Sequence, residues 1–541
     1  MARQIVILSG HVCAGKTTLA TKLAAEFGFR HVKTWNFIKE RGEHLNLDRT
    51  TLQDFGEQLD RKTRGAWVRD DLQKIERNEI PETQIVVDSV RHPGQIEFLR
   101  KAYGRRIVHV HLTAPITRLE QRYTERKRHH TEIAELGKYS EVLANPTEAQ
   151  VEELAITADV VVNSELCNAD DVVIRVASHL GWYGREYLRL VDVMVGGQYG
   201  SEGKGQVAAY LAPEYNLLIR VGGPNAGHKV KIRGTNKEFT FRHLPSGSLS
   251  SEANLLIGAG AVIHVPTLLG EIANAKIGVD RLMIDRQAMT ISEQDRLREA
   301  GNKGIKRLIG STGQGVGQAT ARRITSRGKP GVKLARDIPE LQPYLCDSCD
   351  VLQRLFRERK RAFLEGTQGT GLSIYHSHYP YCTSRDTTVA GCLAETGISP
   401  SRVRKVIMVC RSYPIRVGSP PNGTSGPMSN EITWAEVERR AGFRRGKIAA
   451  HEVGSVSGNP RRVAEFDWVL LRKSASLNAP TDIALTFADY LDRENVNARR
   501  FEQLTEPTIR FIEELERVSA APVTLISTRF HERSIIDRRA W

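Results

Sequence analysis

The sequence has no apolar run approaching the ~20 residues that span a bilayer. Its N-terminus, MARQIVILSG, lacks the pattern of a secretory leader. A cytoplasmic protein without a membrane partner is therefore expected. Cysteine is sparse: seven thiols, an odd number, are scattered over 541 residues, which reads as reduced side chains and not a disulfide framework. Cys346 and Cys349 form a lone C-x-x-C without the second Cys or His pair of a structural zinc site. Aromatics are only 6% of residues and no RNA- or DNA-binding signature is present. The formal charge of +15 thus fits polyanionic small molecules as well as nucleic acid, and no nucleic-acid partner is expected. No solenoid-period repeat or long low-complexity segment is found. What is there, 40% hydrophobic and 26% charged residues over 541 positions, is ordinary globular composition with room for two or more domains.

The chain opens on a short apolar strand, Ile5 to Leu8, then GHVCAGKTT from Gly10 to Thr18, then a helical pattern. This is a complete Walker A in strand-loop-helix context. Lys16 is placed to reach β/γ-phosphates, and the amides between Gly10 and Gly15 and around Thr18 to wrap them. The Thr17 hydroxyl suits Mg²⁺. Asp88 ends the apolar run QIVVD, where open α/β sheets gather ligands; it reads as a metal-shell carboxylate or as a turn or N-cap aspartate. A third strand, Arg106 to Leu112, leads to a helix with Arg118, Arg122, Arg126 and Arg128, either a phosphate-neutralising lid or a solvated basic face. ILSGHVCAGKTT, VVDSVRHPGQIEFLRK and HLTAPITRLEQRYTER resemble the small P-loop nucleotide kinases of the deoxynucleoside-monophosphate and dephospho-coenzyme-A kinase group, over about residues 1–180. Only the Walker A is specific in that resemblance, and it leaves the phosphate acceptor open.

A second glycine-rich stretch, VMVGGQYGSEGKGQ from Val193 to Gln206, follows another apolar strand, so a domain boundary near residue 186 is expected, with domains 1–185 and 186–541. Glycines around a lysine offer amides and a cation to phosphate. The spacing is not that of a P-loop, since Gly205 and Gln206 follow Lys204 where Ser or Thr holds Mg²⁺. GGQYGSEGKGQ, RVGGPNAGHKV, RHLPSGSL, IGAGAVIHVPTLLGEI, GSTGQGVGQA, LEGTQGTGLSIYHSHYPYCTSRDTT and LNAPTDIALTFADYLD occur in the order found in adenylosuccinate synthetases. Residues 190–541 thus resemble that family. The resemblance implies α/β architecture, so that the whole chain is read as two nucleotide domains, each with a mainly parallel sheet flanked by helices. It further implies a homodimer, Mg²⁺ and a nucleoside triphosphate. It implies ligation of L-aspartate to C6 of a purine nucleotide through a 6-phosphoryl intermediate.

Residue by residue, the resemblance implies that Lys204 and His228 act on the transferring phosphoryl group, with Gly200, Gly203 and Gly205 in the loop and the Gly227 carbonyl on Mg²⁺. Asn225, Thr312, Gln368 and Thr383 match nucleotide-holding groups, Asp489 the donor-base aspartate, and Arg461 and Ser457 the aspartate site. Four departures stand out. Ser201 occupies the position of the family's general base and of a metal-shell carboxylate, leaving Glu202 or water to take a proton; serine has no useful basicity near neutral pH. Phe487 replaces the lysine of the guanine-reading T-K-x-D, so GTP or ATP is the donor. Asn459 and Pro460 replace two arginines of the aspartate loop, and Ser326, with Arg327 adjacent, replaces an arginine lent across the dimer. A small residue at the base position is similar to phage-type synthetases that ligate aspartate to dGMP. The substrate is then IMP or dGMP. Retention of Lys204, His228, Gln368 and Arg461 favours altered specificity over a catalytically silent nucleotide sensor.

Overall fold

The computed structural model describes residues 4–42, 49–77, 83–127, 137–182, 187–232, 234–235, 237–301, 304–454, 460–531 and 533–539. The chain divides into two compact units, Met1–Glu186 and Tyr187–Trp541. Ser457, Asn459 and Arg128 lie outside the described residues. No described helix is long and apolar enough to cross a membrane.

In the first unit five strands, β1 (Ile5–Ser9), β2 (Arg30–Lys33), β3 (Ile85–Asp88), β4 (Ile107–Thr113) and β5 (Val160–Asn163), form one sheet in the order β2-β3-β1-β4-β5. Every neighbouring pair is parallel. The run IVILS is buried end to end because both faces of the sheet are covered. Val6 and Leu8 pack with Val86, Val110 and Leu112 on one side, whereas Ile5 and Ile7 pack with Val32, Val87 and Trp67 on the other. The helices α1 (Lys16–Phe27), α2 (Thr34–Arg41), α3 (Arg49–Thr63), α4 (Ala66–Arg77), α5 (Pro93–Tyr103) and α6 (Ile116–Lys127) supply the layers. The three-helix insertion α2–α4 was not anticipated from the sequence; its polar surface has no motif and only its spacing of Phe37, Leu52, Trp67, Val68 and Leu72 marks a core face.

The second unit is built on a ten-stranded sheet. Its order is Leu345–Cys346, Leu282–Asp285, Asn254–Ile257, β7 (Leu217–Arg220), Ala362–Glu365, β6 (Val191–Gly196), Val403–Arg411, Asp482–Thr486, Val523–Ser527 and Ile535–Asp537. Only the final pair is antiparallel. Both units are therefore α/β with mainly parallel sheets, the architecture expected from the sequence. β6 is buried throughout, Met194 on one face and Val193 and Val195 on the other. Its C-terminal end opens on the glycine loop, flanked by the ends of Ala362–Glu365 and Val403–Arg411. Ligands of open α/β sheets collect at such strand ends.

Candidate functional sites

In the first unit the Walker A loop joins β1 to α1. Gly10 has φ 133°, and a Cβ there would lie 2.2 Å from the Leu112 carbonyl oxygen, so only glycine fits. Gly15, at φ 102°, caps α1, whose first amides form an anion seat. Lys16 is buried and its ammonium donates to the carbonyls of Gly10 (2.6 Å) and His11 (2.8 Å). Burial, with Arg91 nearby, pushes its pKa down to about 7. A phosphate in this seat would favour the charged ammonium, as the nearby Asp88 does.

Lys16, Thr17, Thr18, Asp88, Arg122 and Arg126 line one cleft of about 1220 Å³. Asp88 caps no helix, since α5 begins at Pro93 behind His92. Burial alone would raise the Asp88 carboxyl; His31, Thr17 and Lys16 hold it below the usual range. A hydroxyl and one carboxylate suit Mg²⁺, which takes its remaining ligands from phosphates and water. The group of arginines divides: Arg122 is tied to Ser164, whose hydroxyl donates to the Ala14 carbonyl (3.2 Å), while Arg118 turns to Gln121 outside.

Beneath this loop, Ser9 Oγ lies 2.6 Å from His109 Nε2 and 2.8 Å from His111 Nδ1. Burial drives both imidazoles down to about 4; Arg100 and His111 add to this at His109, and His11 and Lys16 at His111. Their folded pKa lies below the unfolded value, so the stability they contribute is present above pH ~6.5 and lost as pH falls toward ~4. Urea unfolding of the intact chain should weaken in that window by roughly 1.4 kcal/mol per pH unit for each histidine. His111→Asn should remove one such increment from the slope; an unchanged slope contradicts the neutral, buried assignment.

In the second unit the loop after β6 runs into helix Lys204–Leu211, capped by Gly203 at φ 85°. Ser201 adopts φ 54°, the left-handed region, and lines a cavity of about 190 Å³. Glu202 does not. It is fully buried, accepts from the amides of Gln198 (3.2 Å) and Gly200 (2.8 Å), and pairs with the Lys204 ammonium. The side chain expected as an alternative base is thus turned inward and occupied in shaping the loop. Gly205 lets the helix start approach His228, where a Cβ would sit 3.0 Å from His228 Cβ.

His228 is buried with Nδ1 against Glu365, the last residue of strand Ala362–Glu365. Glu365 also receives Arg220 Nη1 (3.1 Å), the Ser246 amide (2.7 Å) and the Ser246 hydroxyl. Burial and the neighbouring Arg220 push His228 down to about 4. Against the upward push of burial, Arg220, His228 and Ser246 hold Glu365 down to about 2. A neutral imidazole with its Nδ1 proton on a carboxylate keeps Nε2 for a ligand and a counter-charge ready for the imidazolium.

Around the same cavity stand Gly200, Lys204, Asn225, Gly227, Thr312, Gln368, Thr383 and Arg461. Gln368 Nε2 donates to Asn225 Oδ1 (2.9 Å), and Asn225 Nδ2 reaches Thr383 Oγ1 (3.4 Å). Ser201 and Gly227 offer only neutral oxygens to a cation, so Mg²⁺ fits here only with phosphate supplying the charge. Arg461 Nη1 donates to Glu452 (2.9 Å), which also takes Arg411 Nη2 (2.8 Å) and the Tyr490 hydroxyl (2.9 Å). Arg411 is fully buried, donates from Nη1 to the Ser201 carbonyl (3.3 Å), and stacks on Phe487 at 4.1 Å. The Phe487 ring is therefore covered on one face by a guanidinium. Asp489 has an Oδ1 without a hydrogen-bond partner among the described residues, and burial pushes it up to about 7. Glu365, Arg411 and Glu452 were missed in the sequence; only Glu365 carried a signal, an acidic residue at the end of a buried strand. Arg327 is exposed and donates to Ile324 (3.1 Å).

A family model for adenylosuccinate synthetase matches residues 193–338 and 331–496. The adenylosuccinate synthetase of Pyrococcus horikoshii is 38% identical over 352 residues, covering 64% of this chain and 98% of that one. That of Methanocaldococcus jannaschii is 37% identical over 352 residues, covering 64% and 96%. Among solved structures, cyanophage S-2L succinoaminodeoxyadenylate synthetase bound to dGMP and dATP as an energy donor is 28% identical, with TM-score 0.55, covering 65% of this chain and 96% of that one. The fully ligated adenylosuccinate synthetase of Plasmodium falciparum, 21% identical with TM-score 0.54, covers 65% and 100% and shares the fold. Through its second unit, the chain belongs to the adenylosuccinate synthetase family.

Proposed function

We propose that the second unit ligates L-aspartate to C6 of dGMP in preference to IMP, with ATP or GTP as phosphoryl donor, and that the first unit is an ATP-dependent nucleoside-monophosphate kinase. The observation that carries the first part is Ser201. It is one of the loop residues that line the cavity, at the position where the family has a carboxylate, whereas Glu202 is fully buried and takes no part in that lining. A hydroxyl leaves room beside N1 and C2 and can accept from a 2-amino group, which IMP lacks. The dGMP-bound phage relative is similar over the same unit.

In this reading O6 attacks the γ-phosphorus and the donor leaves as the diphosphate. The proton leaves N1 for water, since Ser201 is not a base. Lys204 and His228 hold the phosphoryl oxygens, and Glu365 stabilises the positive charge that His228 acquires as they approach. Mg²⁺, when bound, neutralises phosphate charge. The aspartate amine then displaces phosphate at C6, with Arg461 on the aspartate carboxylate and Ser457 beside it. Asn225, Thr312, Gln368 and Thr383 hold the purine nucleotide, and Asp489, whose buried Oδ1 has no hydrogen-bond partner among the described residues, takes a donor-base N–H. The proposal includes a cytoplasmic homodimer, on the precedent of the family.

The test is aspartate-dependent phosphate release with dGMP, GMP, dIMP or IMP against ATP or GTP. Release with dGMP exceeding that with IMP is expected; no release with any pair means a silent nucleotide sensor. Ser201→Asp should shift the IMP/dGMP ratio of kcat/KM toward IMP by about 10-fold or more. Aspartate tolerates the left-handed conformation there, so the variant tests chemistry and not folding. An unchanged ratio contradicts the role given to Ser201.

A further inference from the structure

The first unit's cleft contains a carboxylate that the phosphate chemistry does not use. Asp60, on α3, is 8% exposed and lines the cleft. It accepts from Trp67 Nε1 (2.7 Å) and twice from Gln95 Nε2 (2.9 and 3.0 Å), and no cation pairs with it among the described residues. Gln95 is itself held, its Oε1 taking the Arg91 amide (2.9 Å). The turn between α3 and α4 makes this possible: Gly65, at φ 89°, lies so close to the start of α5 that a Cβ would sit 2.4 Å from the Gln95 amide nitrogen. Trp35, Ile38, Leu52 and Gly56 give the same cleft an apolar stretch, bordered by Glu57 and by Lys39, whose ammonium lies 5.6 Å over the Trp35 ring. A Cβ on Gly56 would meet Ile38 at 3.0 Å. Flat apolar walls ending in one fixed polar group suit a heteroaromatic base.

Resting on the kinase reading above, we infer that Asp60, positioned by Gln95 and Trp67, reads the base of the accepted nucleotide, and that this base is a 2-aminopurine carrying adjacent ring N–H and amino donors, as in guanine. An ionised carboxylate only accepts, and Asp60 is buried without a cation, so its charge calls for donors from the ligand. Guanine presents N1–H and the 2-amino group side by side to one carboxylate. Hypoxanthine lacks the second donor, and adenine and cytosine place a ring acceptor next to their amino group, which repels a carboxylate. Burial raises the Asp60 carboxyl, in keeping with a site completed by its ligand.

The experiment uses the intact chain with Mg²⁺ and ATP, reading the nucleoside diphosphate formed from dGMP, dIMP, dAMP or dCMP. The expected kcat/KM is higher for dGMP than for dIMP by about 10²-fold. Asp60→Asn should bring that ratio to within about 3-fold by lowering dGMP turnover and leaving dIMP turnover in place. A role confined to folding would lower both substrates together, and the melting temperature of the variant checks it separately. Equal use of dGMP and dIMP by the unmodified protein, a preference for dAMP or dCMP, or an unchanged ratio in Asp60→Asn overturns the inference while the kinase stands. No diphosphate from any acceptor overturns the kinase reading and this inference with it.

Discussion

Glu365→Gln is expected to lower the kcat of aspartate ligation by about 10²-fold or more with little change in the KM for aspartate. The reason lies in the coupled charges at the end of strand Ala362–Glu365. Glu365 holds His228 through Nδ1 and shares its other contacts with Arg220 and Ser246. Neutral glutamine keeps the shape but cannot stabilise an imidazolium, so the charge needed at the phosphoryl oxygens no longer forms. His228→Gln should cost about as much, and the double variant little more than either single one, because the pair acts as a unit. Multiplying losses would mean two independent roles. Glu365→Gln also leaves the buried Arg220 without its carboxylate, at a cost of about 3–5 kcal/mol. A melting measurement therefore accompanies the kinetics, because loss of folded enzyme would by itself lower kcat and leave the aspartate KM unchanged.

Lys16→Ala should reduce diphosphate formation by about 10²–10³-fold while aspartate-dependent phosphate release stays within about 2-fold. The first effect follows from losing the buried cation at the phosphate seat. The second follows from the ligase residues all lying in the second unit, with its own cavity. Since the Lys16 pKa is pushed down to about 7 by burial, ATP binding is expected to take up a proton near neutral pH. Calorimetric ATP binding in buffers of different ionisation heat should show that uptake and lose it in Lys16→Ala. If the substitution abolishes both activities together, the assignment of separate chemistry to the two units is wrong.

Much of this molecule was legible in its sequence because parallel sheets covered on both faces leave a plain trace. IVILS, IVVD, VDVMVG and AFLE are short continuous apolar runs, each followed by the glycine or polar residues of a strand-end loop. Backbone amides can approach phosphate only where side chains are absent, so the loops after β1 and β6 were visible as glycine spacings. Thr17, Lys16 and Lys204 could be named from the sequence because each sits in such a loop, and His228 because it follows the glycines after β7.

Residues that act from a distance along the chain left no such trace. Asp60 and Gln95 are 35 positions apart, and Arg411 reaches the carbonyl of Ser201 across 210. Spacing rules follow local geometry, and these contacts are made by the sheet order and by turns such as that at Gly65. The sequence by itself determined two α/β nucleotide folds, the two phosphate loops and the loss of a carboxylate at Ser201. Only the tertiary structure decided which acidic groups remain for chemistry. It buried Glu202 beneath its own loop, set Glu365 behind His228, and left Asp60 at the edge of a cleft with no cation paired to it among the described residues. A carboxylate's reactivity depends on its solvent, donors and neighbouring charges, and those come from segments far apart in the chain.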